Sequence, residues 1–132
     1  TKIFGSYMSK FKKGSIINIS SDLGIIAPDQ RIYKKNFTKP VTYSVVKHGI
    51  IGLTKYTAAY WGNKNIRCNA IAPGGIFNNQ DNDFIKKIKN LIPLGRMAKK
   101  NEYNGLILFL CSELSSYLTG SVIVADGGRT II

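Results

Sequence analysis

The chain has 132 residues, the length of one ordinary domain, and its 44% hydrophobic and 20% charged residues are typical of a globular protein. No segment approaches the roughly 20 consecutive apolar residues of a transmembrane helix, and residues 1–13 lack the apolar core of a signal peptide, so neither is predicted. The net charge of +12 would suit a nucleic acid or an anionic surface, but the lysines are spread along the chain without an aromatic–basic motif, so we expect a solvated surface with no nucleic-acid or membrane partner.

The first predicted elements are a helix and a buried strand. Residues 1–13 carry apolar side chains at helical spacing, and Gly14 ends the pattern. This segment is expected to be the end of a helix that begins before Thr1. Residues 15–20 are short, apolar and β-branched, which predicts a strand in a sheet covered on both faces, ending in Ser20 and Ser21.

A long polar loop is predicted over residues 25–39. A loop of this kind beside a catalytic site is a reasonable place for substrate specificity. Its candidate substrate-binding residues are Gln30, Arg31 and Tyr33. A solvated surface insertion is an equally open interpretation.

The next predicted element is a helix over residues 40–61, with Pro40 at its start, where a missing N–H costs little. In a helix, Tyr43 and Lys47 share one face about a turn apart. A fixed ammonium favours the charged form of a nearby phenol, so the pair is a candidate general acid/base, and the hydroxyl of Ser21 could hold a substrate oxygen beside it. The alternative is a half-buried tyrosine beside a solvated lysine.

The remaining elements follow a second strand, residues 66–74, which ends in Pro73-Gly74. A polar loop with a short helix, residues 79–91, is expected to be a mobile lid over the substrate. Arg96 is a candidate anion contact or else a solvated residue at the entry of a helix over residues 101–112. The last strand and turn, residues 120–128, end in Asp126-Gly127-Gly128, a packing and turn signal.

Cysteine and histidine content argues against a metal site. Cys68 and Cys111 lie in apolar segments without neighbours at metal-ligand spacing, and His48 is the only histidine. Buried free thiols in a reducing compartment are expected, and the predicted localisation is cytoplasmic.

The order of these motifs resembles the short-chain dehydrogenase/reductase family. The resemblance rests on Ser20-Ser21 after one strand, Tyr43-Ser-Val-Val-Lys47 on the following helix, Pro73-Gly74 after the next strand and Asp126-Gly127-Gly128 after the last. It implies an α/β fold, namely the C-terminal half of a Rossmann-type doubly wound parallel sheet. The family's glycine-rich turn and active-site asparagine have no counterpart here, so residues 1–132 are expected to be a partial NAD(P)-binding domain whose N-terminal strands are absent.

The resemblance also implies a role for each matching residue. Ser21 would position the substrate oxygen, Tyr43 would exchange its proton, and Lys47 would assist Tyr43 and hold the ribose hydroxyls of NAD or NADP. The nicotinamide contacts fall on Pro73, Gly74, Ile76 and Asn78, where Asn78 replaces the threonine of many relatives. The full-length protein would be a homo-oligomer.

A finer resemblance joins the segments 21–33, 39–49 and 73–81 to the branch linked to flagellin modification and legionaminic-acid pathways. It implies a small-molecule substrate that is a sugar, a sugar phosphate or a nucleotide sugar. Two other function classes stay open. One is a truncated, catalytically inactive fragment that only folds or dimerises, and the other is a basic nucleic-acid-binding module.

Overall fold

The structure, a computed structural model, describes residues 1–132 and has an α/β fold with a parallel sheet. The helices and strands, in chain order, are α1 Lys2–Phe11, β1 Gly14–Ile19, α2 Val41–Trp61, β2 Ile66–Pro73, α3 Asn82–Lys89, α4 Asn104–Cys111 and β3 Val122–Ala125. None of the helices is both long enough and apolar enough to cross a lipid bilayer.

The three strands are parallel and lie in the order β1-β2-β3. Gly14 is opposite Ile66, and Ala70 is opposite Val122. The central strand β2 supplies more of the core than any other strand, since five of its apolar side chains are at most 1% exposed: Ile66, Cys68, Ala70, Ile71 and Ala72. Because all strands run in the same direction, the segments that follow them meet at one edge of the sheet, where open α/β sheets bind ligands.

Helix α2 packs on the sheet through a polar contact as well as an apolar one. Thr54, which is fully buried, donates to the carbonyl of Ile50 and accepts from the side-chain amide of Asn18 on β1 at 2.9 Å. The helix begins directly after Pro40, whose extended backbone caps it. The hydrogen bond between Thr54 and Asn18 fixes the rotation of α2 about its axis. It therefore determines which face of α2 meets the edge of the sheet.

One sequence expectation needs correction. The last strand and turn expected over residues 120–128 are present as β3, preceded by Gly120 and followed by Gly127 and Gly128, which all have positive φ angles outside the strand. Cys111 is exposed, contrary to the expectation of burial, because it is the last residue of α4; Cys68 is buried as expected, and this burial raises the pKa of its thiol.

The predicted lid segment contains a regular helix, α3, which begins at its cap Asp81. Its residue Ile88 is buried in a small apolar cluster with Ile32, Ile92 and Met97, so α3 packs directly against the polar loop. A movement of α3 over the substrate stays a prediction.

Asn69 is the polar residue at the centre of the core, and we expect its loss to be costly. Its side-chain amide donates to the carbonyl of Leu118 at 2.7 Å and accepts from the backbone N–H of Ser121 at 3.1 Å, which fixes the turn before β3. Asn69→Leu leaves the N–H of Ser121 without its partner and the carbonyl of Leu118 with only a long contact from Arg67 Nη1 at 3.5 Å, and is expected to lower the free energy of unfolding by about 2–4 kcal/mol. The matched control is exposed Asn63→Leu, expected to change it by less than about 0.5 kcal/mol. Denaturant unfolding measures both, and equal stabilities would contradict the account.

Candidate active site

A cleft of about 410 Å³ opens at the carboxyl ends of β1 and β2. It brings together seven of the residues predicted from sequence to bind or react: Ser21, Tyr33, Tyr43, Lys47, Pro73, Gly74 and Ile76. Four others lie outside its lining, namely Gln30, Arg31, Asn78 and Arg96. The functional role of every one of these residues stays a prediction.

The two serines after β1 have different partners. Ser20 donates its hydroxyl to the carbonyl of Lys47 at 2.8 Å, which attaches the strand end to α2. Ser21 donates to Asp22 Oδ1 at 2.8 Å and accepts from the backbone N–H of Leu23 at 3.2 Å. A side chain at Gly24 would meet Ser20 Oγ at 2.5 Å and the Lys47 carbonyl oxygen at 2.9 Å, so the turn requires glycine to pack this closely on α2.

Tyr43 and Lys47 lie on one face of α2, next to the end of β1. The ammonium of Lys47 donates to the carbonyl of Ile19 at 3.0 Å and is 5.7 Å from the centroid of the Tyr43 ring. A second ammonium, that of Lys39, lies over the same ring at 3.8 Å from its centroid. Two ammonium groups therefore lie near the ring of the half-buried Tyr43, and the nearer one, that of Lys39, makes a cation–π contact with it.

Lys39 is a site residue that the sequence reasoning missed. Its backbone is held by Gln30, whose side-chain amide accepts from Lys39 N–H at 2.9 Å and donates to the Lys39 carbonyl at 3.2 Å. The sequence does contain one indication of this position of Lys39, because Lys39 directly precedes Pro40. A residue before proline favours an extended backbone, so Lys39 lies at the start of the helix that carries Tyr43. The oxygen and the nitrogen of the Gln30 side-chain amide are both hydrogen-bonded to the backbone of Lys39. Gln30 therefore fixes the position of Lys39 beside the cleft.

The side chains of Arg31 and Tyr33 point to opposite surroundings, solvent for Arg31 and the cleft for Tyr33. Arg31 is exposed and forms two hydrogen bonds with Asp29, which lower the pKa of that carboxyl to about 2. Tyr33 faces the cleft and packs on Phe37 and Phe84, with ring centroids 5.3 and 5.6 Å away, and burial raises the pKa of its phenol. The loop thus joins α3 to form one wall of the cleft.

The turn after β2 presents backbone groups to the cleft. A side chain at Gly74 would approach Asp126 Cα to 2.8 Å, so this position requires glycine. Gln80 donates to the Ile76 carbonyl at 2.7 Å and accepts from the N–H of exposed Asn78 at 2.7 Å. The Ile76 N–H has no hydrogen-bond partner within the protein, so a ligand could use it.

Arg96 lies beside a neighbouring cavity of about 310 Å³ that shares Gly74 and Gly75 with the cleft. Its guanidinium makes two hydrogen bonds to Glu102, at 2.7 and 2.6 Å, which lower the pKa of that carboxyl to about 2. The charge of Arg96 is therefore compensated by the protein, which weakens it as an anion contact.

The family follows from comparison with known proteins. Residues 1–130 match the family described as enoyl-(acyl carrier protein) reductase. A crystal structure of a short-chain dehydrogenase from Leptospira borgpetersenii with bound NAD+ superimposes with a TM-score of 0.89 and 42% identity, over 96% of this chain and 48% of that one. This chain belongs to the short-chain dehydrogenase/reductase family.

Other members of the short-chain dehydrogenase/reductase family are named for different activities. The 3-oxoacyl-(acyl-carrier-protein) reductase FabG of Thermotoga maritima is 40% identical over 99% of this chain and 51% of its own length. Post-translational flagellin modification protein A of Campylobacter coli is 36% identical over 95% of this chain and 49% of its own. The chain spans about half the length of the curated relatives that it matches. The family and the α/β fold expected from sequence are confirmed.

Proposed function

We propose that this chain carries the substrate-binding and proton-transfer half of an NAD(P)-dependent short-chain oxidoreductase that acts on a hydroxyl or carbonyl carbon. The observation that carries the proposal is that Ser21, Tyr43 and Lys47 line one cleft at the carboxyl edge of a parallel sheet. A hydroxyl, a phenol and an ammonium in one cleft suit proton transfer to and from a substrate oxygen.

The reaction needs one hydride and one proton. When bound, a nicotinamide cofactor would supply the hydride to the substrate carbon, or accept it in the reverse direction. In reduction the phenol of Tyr43 gives its proton to the substrate oxygen, and in oxidation the phenolate takes it back. Ser21 holds the same oxygen when its single O–H turns from Asp22 Oδ1 to it, so that the oxygen stays beside Tyr43 while charge develops on it.

Lys47 supports both proton transfer and cofactor binding. One N–H of its ammonium is used by the Ile19 carbonyl, which leaves two donors for the ribose hydroxyls of a nicotinamide nucleotide. Its ammonium and that of Lys39 both lie near the ring of Tyr43, the residue proposed to exchange the proton.

The residues present fit the nicotinamide end of NAD or NADP. Gly74 and Gly75 leave the floor of the cleft free of side chains, and the Ile76 N–H is available to the carboxamide. Asn78 lies outside the cleft lining and does not support this contact. Residues 1–132 contain no glycine-rich phosphate-binding turn, so we infer that this is a partial NAD(P)-binding domain and that other residues of a longer protein bind the phosphates.

A sugar phosphate or nucleotide sugar is the proposed substrate class. The cleft lining includes three cationic side chains, Lys39, Lys47 and Arg129, against the single carboxylate of Asp22, which favours an anionic ligand. The similarity to the flagellin modification protein supports a role in surface-glycan synthesis. The similarity to FabG supports a second candidate, reduction of a 3-oxoacyl thioester.

A homo-oligomer is proposed for the complete protein. Two helices expose apolar side chains that a solvated surface does not need: Ile3, Phe4, Tyr7 and Phe11 on α1, and Val45, Tyr56 and Tyr60 on α2. Exposed apolar area of this kind marks an interaction surface.

The test uses the longest natural polypeptide that contains this chain. Binding of NADH and NADPH is followed by nicotinamide fluorescence, and turnover is measured with sugar phosphates, nucleotide sugars and 3-oxoacyl thioesters. Binding of one cofactor with turnover of an anionic sugar is expected, whereas turnover of the thioester alone would favour the second candidate. Failure to bind either cofactor would favour the inactive-fragment alternative, and salt-sensitive retention on DNA or RNA would favour a nucleic-acid-binding module.

A further inference from the structure

Asp22 and Arg129 form a buried ion pair beside the cleft. Arg129 Nη1 donates to Asp22 Oδ2 at 2.6 Å, and the two side chains are only 5% and 4% exposed. The other carboxylate oxygen, Oδ1, accepts from the hydroxyl of Ser21 and from the backbone N–H of Leu23, both at 2.8 Å. The ion pair is therefore linked by one hydrogen bond to Ser21, the serine proposed to hold the substrate oxygen.

The turn after β3 is built to carry Arg129 back to this site. Asp126 accepts from the backbone N–H groups of Gly128 and Thr130, at 2.9 and 2.7 Å. Gly127 and Gly128 have φ angles of 70° and 91°, and side chains there would meet Ile92 Cγ2 at 2.7 Å and Pro93 Cγ at 2.8 Å. Only glycine suits two such positions in succession, and the resulting turn directs Arg129 across the sheet edge.

Stability alone is a poor explanation for this pair. Removing two charges from water costs free energy that their attraction often fails to offset, and apolar residues of similar volume frequently do as well. Arg129 Nε is also buried without a partner, a further cost that a purely stabilising contact would avoid. The ion pair does hold the Asp22 carboxylate in place, and this carboxylate accepts the hydrogen bond from the Ser21 hydroxyl.

We propose that Asp22 and Arg129 are positioning residues that fix the Ser21 hydroxyl in the cleft. The inference rests on the proposed oxidoreductase function. Arg129 orients the Asp22 carboxylate, and Asp22 together with the Leu23 N–H holds Ser21 Oγ from two directions. Ser21 Oγ is thus already in place when the substrate binds, and its single O–H then turns from Asp22 Oδ1 to the substrate oxygen. A preplaced Oγ lowers the barrier to reaction, because its position need not be fixed at that moment.

The test separates positioning from stability by removing one charge and then both. Arg129→Met leaves a buried, unpaired carboxylate and is expected to lower Tm. Asp22→Leu combined with Arg129→Met replaces both charges and the acceptor of the Ser21 hydrogen bond by apolar side chains of similar volume, so Tm should return close to that of the wild type. The positioning role predicts that kcat of this double variant stays about tenfold to a hundredfold low while KM changes less than about threefold. Arg129→Lys keeps a donor and is expected to recover part of kcat.

A matched control neutralises an exposed pair far from the cleft. Lys13→Met with Glu113→Gln removes a contact whose side chains are 77% and 78% exposed, and should leave kcat unchanged. Hydrogen exchange at residues 22–24 gives a readout besides activity, with faster exchange expected in the double variant and unchanged exchange in the control.

Each outcome has a distinct meaning. Wild-type kcat in the double variant with Tm restored would overturn the positioning role and leave only a structural one. If the double variant does not fold, wild-type kcat in Arg129→Lys together with unchanged exchange at residues 22–24 would overturn it as well. A wild-type protein that binds cofactor but turns over no substrate would contradict the proposed function. In that case, faster hydrogen exchange at residues 22–24 of the double variant would support only a role of the ion pair in ordering the turn.

Discussion

Replacement of Tyr43 by phenylalanine is expected to lower kcat by roughly 10²- to 10⁴-fold, the usual contribution of a positioned general acid or base. The change removes the phenol oxygen that is proposed to exchange a proton with the substrate. Because Tyr43 is half-buried and its hydroxyl has no hydrogen-bond partner in the protein, Tm should change little. Steady-state turnover and thermal unfolding of the variant check both parts of the expectation.

Tyr56→Phe is the matched control, since Tyr56 lies on the same helix with its side chain 66% exposed and outside the cleft lining. It should leave kcat at the wild-type value. Equal kcat values for Tyr43→Phe and Tyr56→Phe would remove Tyr43 from the reaction.

Replacement of Lys47 by methionine is expected to lower kcat/KM by on the order of 10²-fold or more, the usual cost of losing one preorganised donor in a site. The variant loses the hydrogen bond to Ile19 and the nearby charge on the Tyr43 ring. It also loses the donors proposed for the ribose hydroxyls, so the Kd of the nicotinamide cofactor should rise along with the fall in kcat.

Lys55→Met controls for the loss of one positive charge from the exposed face of α2. If it weakened cofactor binding as much as Lys47→Met, the effect would belong to the net charge of the protein and not to the site. Unchanged cofactor binding in Lys47→Met would contradict the assignment of the ribose contact.

The sequence was sufficient for features that depend on local pattern. Short apolar runs identified the strands, and the positions of Ser21, Tyr43 and Pro73 after or between them predicted a site at the carboxyl edge. The helix spacing of Tyr43 and Lys47 then fixed their common face. These statements need only the chain's own periodicity and the rule that parallel strands share an edge.

Features that depend on distant partners could not be predicted in this way. Asp22 and Arg129 are 107 positions apart, and nothing near either residue indicates its partner. Likewise, residue type and loop position predict ligand contacts at Gln30, Arg31 and Arg96 but do not indicate their partners within the protein. In the structure their side chains are hydrogen-bonded to Lys39, Asp29 and Glu102, respectively, and their part in ligand binding stays a prediction.

Ser21 and Tyr43 are proposed to act together on one substrate oxygen. The most direct test of this joint action is the kcat of Ser21→Ala, Tyr43→Phe and the double variant in the longest natural polypeptide, with the cofactor and substrate that support wild-type turnover. Residues that act as a unit are strongly non-additive, so the double variant should be about as slow as the slower single variant. Losses that multiply independently, or a double variant that retains wild-type turnover, would contradict the account.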